Sequence, residues 1–464
     1  MKDWQGQHVL VIGAARQGLA LARYLAQKGA RVVLNDSRPE DQMQSAHQSL
    51  QDLPQIRWVL GSHPLELLDD TGLVCLSGGI PLTLPLVIEA QRRGLPLSND
   101  SQVFMEAVPC PVVGITGSAG KTTTTTLVGR MAQAAVESGA APRRVWVGGN
   151  IGQPLINFID EMHADDLVIL ELSSFQLEQM TCMPQVAAIL NITPNHLDRH
   201  GTMEAYTAAK ARILEFQTPG DVAVLNREDV GSWGLAGKVR GKLVTFGLGK
   251  PTGKQIGAYL AGDTLYLAGD QGATALMPRD LISLRGEHNL VNVLAACAIA
   301  QAAGLPVEAM RKGVEGFNGV AHRLEFVRTY RGAAWYNDSI ATAPERSMAA
   351  IRSFIEPLVL LAGGRDKNLP WGAFADLVHQ RVDHLVLFGE ATEKISAAVG
   401  PLQPDRRPYS LVCYDHLFQA VQAAAEIIEP GDVVLLSPGG TSFDEFRDFE
   451  ERGEWYRKWV KELT

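Results

Sequence analysis

Short apolar runs recur along the chain, and each empties into a glycine-rich or polar turn. They stand at His8–Ile12, Arg31–Leu34, Leu73–Leu76, Val112–Ile115, Leu167–Leu170 and Val186–Leu190. They return at Ala334–Tyr336, Leu358–Leu361, His384–Phe388 and Val433–Leu436. Between them lie segments of helical pattern, such as Leu19–Gly29, Pro85–Arg93, Gln102–Ala107, Thr122 to about Ala135, a helix from about Met203, and one opening at Gly286-Glu-His-Asn289 and running to Ala303. Strands alternating with helices predict largely parallel sheets with helices on both faces.

The fold class that follows is α/β in three domains. Pro109 and Pro111 break the pattern after the first, giving 1–108 as a Rossmann-like domain. Residues 109–319 read as a central parallel-sheet domain of the P-loop ATPase type, and 320–464 as a second Rossmann-like unit. Asp221 to Met277 reads as short strands with glycine turns, a small antiparallel annex to the central domain. A chain of 464 residues is long for a single core, which agrees with three.

Composition narrows the classes. Apolar residues make up 46% and charged residues 20%, as in soluble globular proteins. A net charge of −9 argues against nucleic-acid or anionic-membrane partners, so an anionic substrate must meet local cations. Five scattered cysteines without a CxxC pair predict reduced thiols, and no apolar stretch reads as a signal core or membrane span. The expectation is a cytoplasmic protein, acting as a monomer.

The run Val112–Ile115 leads into Thr116-Gly117-Ser118-Ala119-Gly120-Lys121-Thr122-Thr123 and then a helix. Strand, glycine loop, Lys-Thr and helix cradle a nucleoside triphosphate: glycines let backbone amides approach phosphate oxygens, Lys121 reaches the terminal phosphates and the Thr122 hydroxyl meets Mg²⁺. The longer P-loop pattern would place glycine at position 115, where Ile115 stands. Nearer the start, Gly13-Ala-Ala15-Arg16-Gln17-Gly18 follows a strand, and a second strand ends in Asn35-Asp36-Ser37-Arg38. This resembles a dinucleotide fingerprint with alanine at its middle glycine, and it leaves three readings: NAD, another nucleotide, or a structural turn. Ser77-Gly78-Gly79 closes a further strand at the edge where open α/β sheets place ligands.

Glu171 and His196 each follow an apolar strand next to the phosphate loop, where a carboxylate and an imidazole serve Mg²⁺ ions bridging triphosphate and second substrate. Lys210, on its own, reads as a surface lysine.

Taken together, T-G-S-A-G-K-T, E-L-S-S-F-Q-L-E, N-I-T-P-N-H-L-D-R-H, Y-x-A-A-K-x-R-I, G-E-H-N, A-H-R-L-E and N-D-S-x-A-T in this order resemble the Mur ligase family over nearly the whole chain. These are ATP-dependent, amide-forming enzymes of peptidoglycan synthesis. The first domain and the Leu436-Ser-Pro…Phe449-Glu-x-Arg-Gly453 segment resemble the branch that adds D-glutamate to UDP-N-acetylmuramoyl-L-alanine. The resemblance implies ATP and Mg²⁺ as cofactors and an acyl-phosphate mechanism. It implies phosphate contacts from Gly117 through Thr123, with Lys121 catalytic, and metal-linked positions at Thr122, Glu171 and His196. Lys210 would carry CO₂ as a carbamate. His288, Asn289, Arg323 and Asp338 lie in motifs that meet ATP. Arg16, Gln17, Ser37, Arg38 and Gly79 would surround the UDP group, with Asn150 on the muramoyl part. Thr342, Lys367, Ser442, Phe443 and Phe449 would line the glutamate pocket.

One departure bears on that pocket. Where many relatives have lysine after Asp-Ser, this chain has Ile340, followed by Ala341-Thr342-Ala343-Pro344-Glu345-Arg346. It leaves open an L-glutamate-adding variant. A folylpolyglutamate synthase-like ligase is the rival within the family, and an NAD-dependent oxidoreductase the rival outside it.

Overall fold

A computed structural model describes residues 2–464, Asp198 through its backbone alone. The chain forms three α/β domains, each built on its own sheet. The first sheet has five parallel strands, β1 (His8–Ile12), β2 (Arg31–Asp36), β3 (Arg57–Leu60), β4 (Leu73–Leu76) and β5 (Leu97–Asn99), in the order β3-β2-β1-β4-β5. The runs are apolar throughout because both faces are covered: Val9 and Val11 enter one core, Leu10 and Ile12 the other.

The central sheet has nine strands: β6 (Val112–Thr116), β7 (Val145–Gly149), β8 (Leu167–Glu171), β9 (Val186–Ile189), β10 (Val222–Asn226), β11 (Lys242–Phe246), β12 (Ile256–Ala261), β13 (Thr264–Gly269) and β14 (Gly272–Pro278). Their order is β14-β13-β12-β11-β10-β9-β6-β8-β7. Here the sequence expectation is corrected. Residues 221–277 do not form a separate antiparallel annex. β10 pairs parallel with β9, Val222 opposite Val186, because the helix Met203–Glu215 returns the chain in a crossover. β11 and β12 continue the parallel run, and only the short turns before β13 and β14 reverse it into hairpins.

The third sheet holds β15 (Glu325–Tyr330), β16 (Ala333–Asn337), β17 (Leu358–Gly363), β18 (His384–Phe388), β19 (Ser410–Tyr414) and β20 (Val433–Gly439), ordered β15-β16-β20-β17-β18-β19. Only β15 runs antiparallel. Leu358 and Leu360 pack into one core, Val359 and Leu361 into the other.

The chain through Ser283, with Glu287–Phe317, makes one compact unit, and Leu284–Gly286 with Asn318–Thr464 makes a second. Within the first unit the N-terminal and central sheets are joined by a shared apolar core that runs from Val11 and Leu25 through Phe104 to Ile156 and Ile189. The Asn99 side chain caps the helix Asp100–Ala107 by accepting from Gln102 N, and its amide donates to the Gln176 carbonyl at 2.7 Å. No helix among the described residues is long and apolar enough to cross a membrane.

Candidate active site

β9, β6 and β8 are parallel neighbours, so their C-terminal ends share one edge of the central sheet. The phosphate loop leaves β6 at that edge. Gly120 has φ of 81°, in the left-handed region that favours glycine, and a Cβ placed there would lie 2.2 Å from Asn292 Oδ1, so a larger residue would also have to displace that side chain. Asn292 belongs to the helix Glu287–Ala302, whose first turn carries His288 and Asn289, and its amide donates to Asn289 Oδ1 at 3.1 Å. Burial holds the His288 imidazole below its ordinary pKa.

The loop is also braced from β9. Ser118 N donates to the Asn191 carbonyl, and Ala119 N to Asn191 Oδ1 at 2.8 Å. Ser118 Oγ donates to the Thr193 carbonyl and shares a 3.0 Å bond with the Tyr206 hydroxyl. The amides of Ser118 and Ala119 are therefore engaged. Lys121, Thr122 and Thr123 form the first turn of the helix Lys121–Glu137, whose opening amides have no carbonyl within the helix to bond. Asn191 and Thr193 stand inside a motif quoted from the sequence and Asn292 lies three residues past another, but their work is tertiary and no spacing rule exposes it.

Glu171 ends β8 and is 2% exposed. One carboxylate oxygen accepts from the Thr122 hydroxyl at 2.8 Å and the other from the Asn150 amide at 3.0 Å. The chain at Gly149–Asn150 wraps around it, with Asn150 N donating to the Glu171 carbonyl. Thr122, Glu171 and Asn150 are thus brought together.

Two lysines converge on one carbonyl. Lys121 Nζ donates to Gly117 O at 2.8 Å, and Lys210 Nζ donates to the same oxygen at 2.9 Å. Lys210 is not a surface residue: it is 1% exposed on the helix Met203–Glu215, with its ammonium 4.7 Å from the Tyr206 ring centre. Burial, then the charge of Lys121, pushes its pKa down to about 7, against the pull of Glu171. His196 lies past β9 at the same edge. Its backbone is left-handed, φ 53°, and it starts the short helix Leu197–His200, with its ring edge-on to Phe175 at 5.1 Å.

At the first sheet, the acidic residue of the fingerprint does not point outward. Asp36 accepts from Ala14 N at 2.7 Å and from the Arg38 guanidinium at 2.8 and 2.9 Å, bonds that hold its carboxyl down at about 2. A carboxylate so engaged is not presented to a dinucleotide ribose, which counts against the NAD reading of the fingerprint. Arg16 and Gln17 open the helix Arg16–Gln27, and Gln17 Nε2 reaches the Gly149 carbonyl at 2.9 Å. Ser37 and Gly79 are exposed at the strand ends, and Ser77 Oγ ties the Gly78–Gly79 turn to Gly13 O.

In the second unit, β16, β20 and β17 are adjacent and bring the loops after them together. Asp338 is buried and accepts from Ser437 Oγ at 2.8 Å and Leu324 N at 3.2 Å; burial raises its pKa to about 7. Arg323 lies close enough to oppose that rise. Arg452, fully buried, donates to the Ser339 hydroxyl and to the carbonyls of Ser339 and Gly440, pinning two of the loops. Ser339 Oγ also donates to the carbonyl of Phe449, the first residue of the helix Phe449–Glu462. Ser442 is buried, Thr342 half-buried, Lys367 exposed and Phe443 61% exposed.

Three family profiles match this chain: a MurD-like N-terminal domain over 7–98, the Mur ligase middle domain over 115–300, and the Mur ligase glutamate ligase domain over 322–440. A UDP-N-acetylmuramoylalanine--D-glutamate ligase of Symbiobacterium thermophilum is 40% identical over 461 residues, 99% of this chain and 98% of the relative. The enzyme of the same name from Geobacillus kaustophilus is 41% identical over 465 residues, 99% and 98% of the two chains. Among solved structures, MurC of Thermotoga maritima superposes with a TM-score of 0.57 at 19% identity, covering 98% of each chain. MurF of the same organism, in complex with ADP, gives 0.56 at 16%, covering 100% of each. These two likenesses concern the fold.

Proposed function

The chain belongs to the Mur ligase family, and we propose that it joins D-glutamate to UDP-N-acetylmuramoyl-L-alanine at the expense of ATP, making a peptidoglycan precursor in the cytoplasm as a monomer. Residues 1–108 hold the UDP group, 109–319 the ATP and 320–464 the glutamate. The observation that carries the reading is the chain of bonds from Asn150 through Glu171 to Thr122, which ties a muramoyl contact to the phosphate-loop helix.

The substrate's alanyl carboxylate attacks the γ-phosphorus of ATP, and the bond to the β,γ-bridging oxygen breaks, leaving ADP and an acyl phosphate. The amine of D-glutamate attacks the acyl carbon and loses a proton, and the tetrahedral intermediate expels phosphate as the amide forms. Lys121 exchanges Gly117 O and Ser118 O for phosphate oxygens. The first-turn amides of the helix Lys121–Glu137 orient the triphosphate. Arg38, braced by Asp36, presents its charge to the diphosphate end of the sugar nucleotide.

Among the described residues no cluster of three or more His, Cys, Asp or Glu side chains is assembled for a metal. The buried Glu171 carboxylate and the Thr122 hydroxyl are hard oxygen donors and fit Mg²⁺, which takes few protein ligands and completes its shell with phosphates and water. His196 would serve the same ion shell, and the metal supplies charge neutralisation on the transferring group.

Two ammonium groups on one buried carbonyl repel each other, by roughly 4 kcal/mol at 4 Å and an effective dielectric near 20. With its pKa near 7, the Lys210 amine is uncharged often enough to add to CO₂. The N–C bond forms, a proton leaves, and the resulting carbamate turns repulsion from Lys121 into attraction.

His288, Asn289, Arg323 and Asp338 serve ATP. Thr342, Lys367 and Ser442 supply donors for the two glutamate carboxylates, with Phe443 and Phe449 as walls. The test is incubation with ATP, MgCl₂ and UDP-N-acetylmuramoyl-L-alanine, reading phosphate release with no amino acid, D-glutamate or L-glutamate. Release that needs D-glutamate is expected. Turnover with L-glutamate alone overturns the stereochemistry, and no release with either overturns the reaction.

A further inference from the structure

The segment after His196 does more than end a strand. Arg199 stacks its guanidinium 3.8 Å from the centre of the Phe175 ring. The same group crosses to the first domain, donating to the Ile80 carbonyl at 2.9 Å and to the Gly78 carbonyl at 3.3 Å. Those carbonyls flank Gly79, in the turn at the end of β4. The Phe175 ring also stacks on His200, centres 5.3 Å apart and planes 12° apart, and takes the edge of His196. His200 is fixed in turn by Ser174 Oγ at 2.9 Å and Glu178 at 3.0 Å.

His196 is a non-glycine residue held in the left-handed region, an uncommon conformation that persists only where surroundings impose it. The surroundings here are Phe175 and the four-residue helix carrying Arg199. Arg199 is not needed to hold the two domains together, because Asn99 to Gln176, Gln102 to Thr181 and Lys28 to Asp160 already bond across the same boundary. Its two carbonyl acceptors lie instead in the turn that the proposed function gives to the sugar nucleotide.

We propose that Arg199 is a positioning residue that couples occupation of the Gly78–Gly79 turn to the placement of His196 at the ATP site. The inference rests on the ligase reading for the identity of both ligands. A nucleotide that settles against the turn orders the Gly78 and Ile80 carbonyls; Arg199 transmits that order to Phe175 and so to the His196 backbone. Energetic coupling of this kind is reciprocal, so each ligand changes the affinity of the other by one common factor.

Calorimetric titration of the full chain with UDP, with and without saturating ADP and MgCl₂, measures that factor. In the wild type the UDP Kd is expected to change about fivefold or more. In Arg199→Met, which keeps an unbranched chain over Phe175 but has no donor, the factor falls to within about twofold of unity, while melting temperature and the Kd for ADP–Mg²⁺ alone stay at wild-type values. Arg199→Lys, able to reach one carbonyl, retains an intermediate factor and serves if the methionine variant does not fold. Wild-type coupling in either variant, or none in the wild type, overturns the proposal. Absence of phosphate release by the wild-type enzyme in the ligation assay counts against the ligase reading, a separate outcome.

Discussion

The molecule contains two glycine turns between a parallel strand and a helix, and they are braced by opposite charges. At Gly13–Gly18 the brace is an anion on an amide: Asp36 takes Ala14 N and steadies Arg38. At Gly117–Gly120 the brace is a pair of cations on a carbonyl, Lys121 and Lys210 on Gly117 O. In the first turn the acid is consumed internally and the charge offered outward is that of Arg38. In the second, Lys121 Nζ lies on the carbonyls of Gly117 and Ser118, at the start of the helix Lys121–Glu137. The two turns are thus closed by groups of opposite sign.

The contrast breaks most sharply at Lys121. Replacing it with alanine removes the cation on the transferring phosphoryl group, and kcat should fall on the order of 10²–10³ with circular dichroism unchanged. Activity within a few-fold of wild type would mean that the second turn is only a turn. Lys210→Ala should cost on the order of 10² in kcat, and short carboxylic acids should restore part of it by standing in for the lost carbamate. A fully active variant would return Lys210 to a packing role.

The first turn is expected to respond more gently and in a different parameter. Asp36→Ala frees Ala14 N and lets Arg38 wander, so KM for the UDP substrate should rise about tenfold, one lost charge-assisted contact, while KM for ATP holds. A matched rise in both would merge the two sites. The smallest effect is on acid stability. Asp36 has its folded pKa lowered, so its contribution is present above the unfolded value near 3.8 and is lost as pH falls towards about 2. Because Arg38 is 44% exposed, water screening reduces the contribution to about 1 kcal/mol. Urea unfolding of wild type and Asp36→Asn at pH 5 and pH 2.5 should show a gap that narrows at the lower pH.

Much of this was legible in the chain. Apolar runs buried on both faces marked the strands, and the Lys-Thr loop marked the phosphate site, because those features are local. The nine-stranded extent of the central sheet was not, since the register of β10 against β9 depends on where a helix returns the chain. Asp36 was visible as an acid at a strand end, but its inward bonds to Ala14 and Arg38 depend on side-chain direction. Lys210 was the reverse case: the residues around it gave no reason to bury it, and only the packing of the helix Met203–Glu215 against the loop does so. The left-handed backbone of His196, at the start of the helix Leu197–His200 with its ring against Phe175, likewise has no signature in the sequence around it.

The burial of Lys210 reaches beyond the protein, to inorganic carbon. On the chemistry proposed here, the enzyme is charged by a dissolved gas, and only the uncharged amine has a lone pair to offer it. The charged fraction of that amine grows as pH falls through about 7, so loading declines with acidification even before any substrate is limiting. A buffer stripped of bicarbonate and held near pH 6 would leave a folded enzyme that is slow until air returns. In a cell, the output of this step would follow carbon dioxide supply and internal pH as well as the pools of its substrates.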